Sequence, residues 1–494
     1  MITSIVAILS ACAQCATAFH AVNPSFIENN SFHYVDQQES VVQKYLSQRK
    51  QQTLLINNTT LTSSNYTPSL TTSAQIETMT AGMTYLYSNN NDQAFSANIT
   101  LNAKDYQVLI DTGSPYLWLY GSECRDNSCK EKKLFDPKAA TQVNDDTFAL
   151  SYDSGVASGF IYEDGIIIAG FETKSFKFGV ADHVPDLFKD YQFSGVLGLP
   201  ADNTSNTGLL NAASYLSENN DIKSSKFTIC IGEYDSDSTN SGLLYLGSTM
   251  DSLYEGTVHT ALVIDEAVSH WEIKIDNVYI DDFLITFDTI RINDQPSNHS
   301  RIGLLDSGTS SLVLPVQDAN RIHSFLSRSI TDGQNYAILC NTSAIFDIEI
   351  AGKNWTLSPD LYVGEAYPVE SDLHGYCVSN IQGIDSVADK AWILGILFMK
   401  NRYVEFDYEN RWISIAERNN NIRLVNPPHK QVNSSTTTYS TTLSTMISVT
   451  TPSVSTSSTS STSSSISSHS NSVPKVTTSS FSVIYIALSL LSLF

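Results

Sequence analysis

Two stretches of the chain carry the same short pattern around an aspartate. Asp111 begins Asp-Thr-Gly-Ser and Asp306 begins Asp-Ser-Gly-Thr, each directly after two apolar residues. In both copies two further residues lead into Leu-apolar-Leu. Because the two stretches match without a gap, they predict an internal duplication, in which two similar lobes each supply one carboxylate to a shared site.

Two carboxylates held close together cannot both ionise easily, so such a pair shares one proton. The pair can take a proton from a water molecule and give a proton to a leaving group, with no metal and no covalent intermediate. Its titration belongs to both residues together. Asp111 and Asp306 are therefore the candidate catalytic residues.

The three residues that follow each aspartate carry groups that can hydrogen-bond to it or hold its turn in place. The first can hydrogen-bond across the two lobes, the second is a glycine that permits close backbone approach, and the third has a hydroxyl for the outer carboxylate oxygen. In chain order they are Thr112, Gly113 and Ser114, then Ser307, Gly308 and Thr309.

A third Asp-Ser-Gly occurs at Asp153, so the tripeptide alone is a weak signal. That copy follows Ser151-Tyr152 instead of apolar strand residues, and it lacks the continuation into Leu-apolar-Leu. The context therefore distinguishes the other two copies. The alternative is that they are two similar β-turns of a β-rich protein.

From about Phe95 to Ile415 the chain resembles the pepsin-like aspartic proteases. Besides the two aspartate motifs, Trp118 matches the family tryptophan seven residues after the first aspartate, and Tyr152 matches the tyrosine of the flap. The segment 193–199, Phe-Ser-Gly-Val-Leu-Gly-Leu, is similar to one that packs beneath the first aspartate. The Ser/Thr-rich tail is similar to that of fungal secreted and GPI-anchored members of the yapsin or candidapepsin type.

The resemblance implies an all-β, bilobal fold with the active-site cleft between two related lobes. It implies an aspartic endopeptidase that works best in acid and binds polypeptides in extended form, without a cofactor or a metal, as a monomer. Tyr152, Asp153 and Trp118 would then belong to the flap and the substrate cleft. Asp153 either favours a basic side chain in the substrate or is a solvated turn residue.

Two departures from the family pattern leave an alternative function open. A short turn at Asn102-Ala103 replaces a longer family turn, and Ile396 stands where the family usually has Asp. We expect altered local hydrogen bonding at Ile396 rather than lost chemistry. The alternative is a catalytically silent surface glycoprotein built on the protease scaffold.

Composition and pattern divide the chain into six parts. Alternating apolar and polar residues at 95–101, 104–110 and 271–280 predict strands, and residues 316–330 predict a helix. The parts are a signal peptide (1–18), a pro-segment (19–75), an N-terminal lobe (76–258), a C-terminal lobe (259–420), a Ser/Thr-rich stalk (421–480) and a hydrophobic tail (481–494).

The pro-segment has little hydrophobic pattern and several Asn-x-Ser/Thr sites. The resemblance implies that a basic residue of this segment blocks the cleft, with Lys44, Arg49 and Lys50 as candidates. Arg49-Lys50 is also a possible processing point. The alternative is a disordered, glycosylated spacer.

The cysteines suit a secreted protein. Cys124 and Cys129 are spaced for a small disulfide loop, and a zinc site is less favoured because no second Cys or His pair lies near. Cys340 and Cys377 are expected to form a second disulfide. Cys230 is expected to be a buried thiol in a strand.

The end of the chain favours a GPI anchor. Small residues at Ser470, Asn471 and Ser472 are followed by a polar spacer and a 481–494 tail that is short for a bilayer span. The alternative is an uncleaved tail anchor. The GPI signal predicts a protein held at the cell surface or wall. Asn-x-Ser/Thr sites in the folded part give the glycosylation candidates Asn98, Asn203, Asn298, Asn341 and Asn354.

A net charge of −23 at pH 7 makes nucleic acid an unfavourable partner. The Ser/Thr-rich tail contributes almost none of that charge, so the charge lies on the folded part. Loss of negative charge in acid would reduce self-repulsion, which is consistent with activity at low pH.

Overall fold

A computed structural model describes residues 27, 32–58, 75–77, 80–152, 155–202, 209–232, 242–264, 270–292, 295–333, 335–384, 391–420 and 422–424. Several sequence-based predictions lie outside these residues. They are the signal peptide, the hydrophobic tail, the flap residue Asp153, the glycosylation candidate Asn203, and Ser470, Asn471 and Ser472.

The largest sheet among the described residues has thirteen strands and includes segments from both lobes. Strand Ala94–Leu101 pairs with Gly155–Ile168 in addition to its two neighbours in the strand order, so this sheet folds back on itself. From edge to edge the strands are Tyr254–Leu262, Trp412–Arg418, Arg402–Asp407, Lys226–Ile231, Gly242–Leu246, Met83–Asn89, Ala94–Leu101, Lys104–Asp111, Gly195–Gly198, Trp118–Tyr120, Phe171–His183, Gly155–Ile168 and Thr141–Tyr152.

The second lobe is built from smaller sheets. One five-stranded sheet contains Glu272–Ile275, Arg301–Leu305, Ala391–Leu394, Leu312–Leu314 and Ile381–Gly383. A four-stranded sheet contains Phe283–Leu284, Asn277–Ile280, Phe346–Ile350 and Lys353–Leu357. Another five-stranded sheet contains His33–Tyr34, Ile330–Thr331, Tyr336–Leu339, Tyr376–Ser379 and Val363–Ala366. Two-stranded pairs join Ile290–Ile292 with Gln295–Ser297 and Gln75–Glu77 with Ile422–Leu424.

The helices are few and lie between strands. The α-helices in the described part are Ser40–Asn58, Ala212–Glu218, Val316–Phe325, Pro359–Tyr362 and Ile396–Met399. Short 3₁₀ turns span Asn127–Cys129, Pro137–Ala139, Asp186–Phe188 and Asp251–Leu253. The fold is thus mostly β, as the sequence predicted.

The first aspartate ends a strand with a distinctive set of neighbours. Lys104–Asp111 pairs in parallel with Gly195–Gly198, so that Gly198 lies opposite Asp111. Trp118–Tyr120, which follows the aspartate turn, pairs antiparallel with the other edge of Gly195–Gly198. Trp118–Tyr120 in turn pairs in parallel with Phe171–His183.

The second lobe repeats this arrangement strand for strand. Arg301–Leu305 pairs in parallel with Ala391–Leu394, which pairs antiparallel with Leu312–Leu314 after the turn. Leu312–Leu314 then pairs in parallel with Ile381–Gly383. Two copies of one topology surround the two aspartates, and the predicted duplication is visible in the fold.

The short turn at Asn102-Ala103 forms a two-residue hairpin. Asn102 has φ 50° and Ala103 has φ 56°, and they connect the paired strands Ala94–Leu101 and Lys104–Asp111. Two consecutive residues with positive φ define a type I′ turn, whose twist matches that of the flanking strands. This departure from the family pattern therefore keeps the strand that ends at Asp111 in register.

The predicted helix at 316–330 is shorter in the structure, where it ends at Phe325. Arg328 has φ 59°, which ends helical geometry, and Ile330–Thr331 forms a strand of the second lobe. Apolar residues continue past the helix because that strand is buried too.

Residues 32–58, expected to be part of the pro-segment, pack on the C-terminal lobe. Arg49, a candidate for blocking the cleft, instead forms an ion pair with Asp281, with 3.0 Å between Arg49 Nε and Asp281 Oδ2. Lys44 is exposed. The expectation that Arg49 contacts the aspartate pair is therefore wrong in this structure.

None of the helices in the described residues has the length and apolar character needed to cross a membrane. Within the same part of the chain, no group of His, Cys, Asp and Glu side chains is arranged to hold a metal ion.

Candidate active site

Asp111 and Asp306 lie at the ends of equivalent strands, and both side chains are completely buried. Backbone bonds fix each strand end. The N–H of Leu199 donates to the carbonyl of Asp111 at 2.9 Å, and the N–H of Asp306 donates to the carbonyl of Leu394 at 3.2 Å. Segment 193–199, which the resemblance places beneath the first aspartate, thus contacts the backbone of Asp111 through Leu199.

Each carboxylate is held by the turn that follows it. The N–H of Gly113 donates to Asp111 Oδ1 at 2.8 Å, and the hydroxyl of Ser114 donates to Asp111 Oδ2. In the second lobe the equivalent bonds run from Gly308 N–H to Asp306 Oδ1 at 2.9 Å and from Thr309 Oγ1 to Asp306 Oδ2 at 2.7 Å. The structure therefore brings the predicted support residues to the predicted carboxylate oxygens.

Thr112 and Ser307 bind the two lobes together reciprocally. Thr112 Oγ1 donates to the carbonyl of Leu305 at 2.9 Å and accepts from the N–H of Ser307 at 2.9 Å. Ser307 Oγ donates to the carbonyl of Ile110 at 2.8 Å and accepts from the N–H of Thr112 at 3.1 Å. This four-bond lock fixes the position of one aspartate relative to the other.

Glycine is required at the second position of each motif because the lobes approach closely there. A Cβ atom on Gly113 would lie 2.9 Å from Asp306 Oδ1, and one on Gly308 would lie 2.6 Å from Asp111 Oδ1. Each glycine therefore faces the carboxylate of the opposite lobe, and the two carboxylates share one small space.

Burial and charge act in the same direction on the first aspartate. Loss of water, followed by the negative charge of Asp306, raises the pKa of Asp111 well above its usual range. Hydrogen bonds from Ser114 and Gly113 oppose this shift only in part. The pair therefore retains a proton at pH values where an exposed carboxyl would have lost it.

Tyr152 lies near the turn of a hairpin made by Thr141–Tyr152 and Gly155–Ile168. Its hydroxyl accepts a 2.8 Å hydrogen bond from Trp118 Nε1, and its ring packs edge-on against Phe188 with centroids 5.0 Å apart. Trp118 and Tyr152 are both buried. The hairpin is thus placed against the strand that follows the Asp111 turn, as the family resemblance implied.

The structure has both predicted disulfides, Cys124–Cys129 and Cys340–Cys377. The first closes a short loop beside the Asp186–Phe188 turn, where the hydroxyl of Ser128 donates to the carbonyl of Pro185 at 2.6 Å. Cys230 is a buried free thiol in strand Lys226–Ile231, as predicted.

The glycosylation candidates differ in exposure. Asn298, Asn341 and Asn354 are exposed, whereas Asn98 is half-buried within strand Ala94–Leu101. Asn98 Nδ2 also lies 3.4 Å from the hydroxyl of Tyr87. An attached glycan is therefore easier to accommodate at the three exposed positions.

Ile396 replaces a polar family residue without disturbing the backbone at the site. Its N–H donates to the carbonyl of Thr309 at 2.7 Å, and its side chain is buried in the main apolar core. The turn after Asp306 is therefore held by the backbone of residue 396 and does not need a carboxylate there.

Sequence reasoning missed two neighbours of the site. Trp271 connects the lobes, because its Nε1 donates to the carbonyl of Leu199 at 2.9 Å and its carbonyl accepts from Leu305 N–H at 3.1 Å. Glu272 pairs antiparallel with Leu304. Continuing this register by two residues places His270 opposite Asp306. Burial lowers the pKa of His270, and the charge of Asp306 opposes that shift. The only sequence signal was the alternation that begins at Trp271.

Comparison with known proteins agrees with this geometry. The family model described as "Eukaryotic aspartyl protease" matches residues 94–418. A "Probable aspartic-type endopeptidase CTSD" of Arthroderma otae is 30% identical over 63% of this chain and 78% of its own length. An "Aspartic-type endopeptidase ctsD" of Aspergillus fumigatus is 27% identical over 66% of each chain. A "Gastricsin" of Rattus norvegicus is 24% identical over 66% of this chain and 81% of its own length.

The matched residues begin with strand Ala94–Leu101, which pairs with the strand that ends at Asp111, and they end with strand Trp412–Arg418. They therefore contain both aspartate turns and the lock between them. The chain belongs to the eukaryotic aspartyl protease family, with the pepsin-like fold, and it is an aspartic-type endopeptidase.

Proposed function

We propose that Asp111 and Asp306 are the catalytic pair of this endopeptidase and that the enzyme works best in acid. The observation that supports this most directly is the close approach of the two buried carboxyl groups, with the pKa of Asp111 raised by burial and by Asp306. A pair that holds one proton contains a general acid and a general base at the same time.

The proposed reaction uses one water molecule as the nucleophile. The ionised carboxylate takes a proton from the water, whose oxygen attacks the carbon of the scissile peptide bond, while the protonated carboxyl donates to the carbonyl oxygen. Collapse of the tetrahedral intermediate breaks the C–N bond, and the pair returns a proton to the leaving nitrogen. The hydrogen bonds from Gly113, Ser114, Gly308 and Thr309 keep the carboxyl groups in position throughout.

Tyr152 and Trp118 are proposed to form the closing side of the cleft. Their hydrogen bond fixes the hairpin end near the aspartates, where closure over a substrate would exclude bulk water. Polypeptide in extended form is the proposed substrate.

The catalytic proposal is tested by cleavage of an acid-denatured protein at about pH 4, with and without pepstatin. Asp306→Ala should reduce the rate by about 10²–10⁴-fold, because it removes one member of the acid–base pair. Asp221→Asn, which changes an exposed aspartate, is the matched control and should retain activity. Full activity of Asp306→Ala would reject the mechanism.

We also propose that the enzyme is a surface-anchored member of the family. The signal-like start, the Ser/Thr-rich stalk and the short apolar tail support secretion followed by attachment through a GPI anchor. Its substrates would then be secreted, cell-surface or cell-wall proteins and peptides. The catalytically silent alternative is less favoured, because both motifs keep every aspartate hydrogen bond described above.

A further inference from the structure

Residues 32–58, which we call the clasp, are attached to the C-terminal lobe by a strand followed by a helix. His33–Tyr34 pairs antiparallel with Ile330–Thr331 and adds an edge strand to a five-stranded sheet. The N–H of Val35 continues this contact by donating to the carbonyl of Ser329 at 3.0 Å. Strand addition of this kind provides backbone affinity that does not depend on side-chain sequence.

The helix Ser40–Asn58 inserts apolar side chains into the second lobe. Val42 and Tyr45 are 1% and 3% exposed and belong to the main apolar core. The ring of Tyr45 packs against Phe283 and Phe325, with centroids 5.7 and 5.4 Å away. The side chain of Val35 is also part of this core.

Polar contacts fix the register of the helix. Asp281 Oδ2 accepts from the hydroxyl of Tyr45 at 2.7 Å and lies 3.0 Å from Arg49 Nε. Arg321 pairs with Glu39. Upstream of the clasp, the N–H of Ile27 donates to the hydroxyl of Tyr367 at 2.8 Å. All of these partners belong to one lobe.

The clasp does not hold the catalytic carboxyl groups. Hydrogen bonds to the side chains of Asp111 and Asp306 come from the turns that follow them, and among the clasp side chains that the structure describes, 32–49, none forms an ion pair with either aspartate. The described contacts of the clasp are therefore made with the C-terminal lobe and not with the aspartate pair.

The chain after the clasp differs sharply in composition. Residues 59–74 are mostly Ser and Thr, with one proline and a single tyrosine. A cut in this stretch would break none of the contacts described above. The possible processing point at Arg49-Lys50, in contrast, lies inside the helix, and Arg49 forms an ion pair with Asp281. A cut there would break the helix.

We propose that the clasp binds the C-terminal lobe tightly enough to stay there as a separate chain once its connection to the first lobe is cut. The mature enzyme then consists of two chains, and the smaller one remains bound to the second lobe. This proposal goes beyond the proposed function and assumes only that processing cuts the connection between the clasp and the first lobe.

The test does not depend on the activity of the enzyme. In the full chain carrying Asp111→Asn, a recognition sequence for a site-specific protease replaces part of 59–74, and the purified protein is cut there. Native size-exclusion chromatography followed by intact mass spectrometry then shows whether the N-terminal fragment elutes with the body. We expect co-elution at one fragment per body, with separation only after denaturation.

Paired variants locate the contact. Val42→Ala combined with Tyr45→Ala should increase the free fragment at least about tenfold, because both changes remove buried side chains. Lys44→Ala, on the exposed face of the same helix, should leave the fragment bound. A fragment that elutes separately from a body that is still folded by circular dichroism would overturn the proposal. Equal release by Lys44→Ala and the double variant would overturn the assigned contact.

Discussion

The carboxyl groups of Asp111 and Asp306 are completely buried, yet each accepts hydrogen bonds from the turn that follows it. Burial raises the pKa of Asp111 and the charge of Asp306 raises it further, whereas the hydrogen bonds from Ser114 and Gly113 favour its ionisation. The balance leaves one proton for the pair. At the scale of a residue, the chemistry is therefore set by the surroundings of the aspartates.

Asp111→Asn should change how stability depends on pH. The folded protein holds the proton of Asp111 above the ordinary carboxyl pKa, so this group stabilises the fold at low pH and its contribution is lost as pH rises through the raised pKa. Between the two pKa values the loss is about 1.4 kcal/mol per pH unit. Thermal unfolding from acid to neutral pH should show the wild type losing more stability than Asp111→Asn. Parallel curves would contradict the raised pKa.

Tyr152→Phe should reduce kcat/KM by about tenfold while the fold is retained, because the buried Nε1 of Trp118 loses its partner. Trp118→Phe removes the same bond from the other side. If the bond matters as a unit, the double variant should cost no more than the larger single change. Fully additive losses in steady-state kinetics would show that the two residues act independently.

At the scale of elements, the strand that carries Asp306 is supported by a buried charge network. Arg301 begins that strand, is 1% exposed, and donates from Nε and Nη2 to the two carboxylate oxygens of Asp318 at 2.6 and 3.0 Å. Trp392 Nε1, on the parallel strand, donates to Asp318 Oδ2 at 2.8 Å. Helix Val316–Phe325 is thereby attached to both strands beneath the second aspartate.

Asp318→Ala should destabilise the protein by about 3–5 kcal/mol, because it leaves the guanidinium of Arg301 buried without its carboxylate. Gln317→Ala, at the neighbouring exposed position of the same helix, should change stability by less than about 0.5 kcal/mol. Urea unfolding measures both. A loss below about 1 kcal/mol for Asp318→Ala would mean that the network contributes little.

Sequence patterns predicted local features better than long-range ones. The two aspartate turns, the hairpin of Tyr152 and the Cys124–Cys129 disulfide follow from short motifs, whose neighbours in sequence are also neighbours in space. The position of Arg49 against Asp281 could not be predicted, because helix Ser40–Asn58 has no strong apolar face and its partner lies far along the chain. The roles of Trp271 and His270 also depend on pairing that no local pattern specifies.

At the scale of the whole molecule, the chain divides into a catalytic body and a tail of different composition. Ser and Thr dominate residues 433–480, and a segment of this kind cannot bury a core. Attachment of the enzyme through this tail is a proposal, which a deletion can test.

Deletion of residues 481–494 should release active enzyme into the culture medium, because the proposed anchor signal is removed while the body is intact. Cell-associated and soluble activity, measured against full-length protein, give the distribution. Deletion of a similar length within the stalk serves as the control and should leave the enzyme with the cells. Full-length protein that is wholly soluble and still carries its C-terminal peptide would contradict the anchor.

The thirteen-stranded sheet also constrains how the protein can be made. Lys226–Ile231 lies between Gly242–Leu246 and Arg402–Asp407, so its second neighbour leaves the ribosome only after nearly all of the second lobe. Until then this strand has an exposed backbone edge, which can pair wrongly with other chains. Completion of the first lobe must therefore wait for the end of synthesis, and yield in a foreign host should depend on how well nascent chains are protected during that interval.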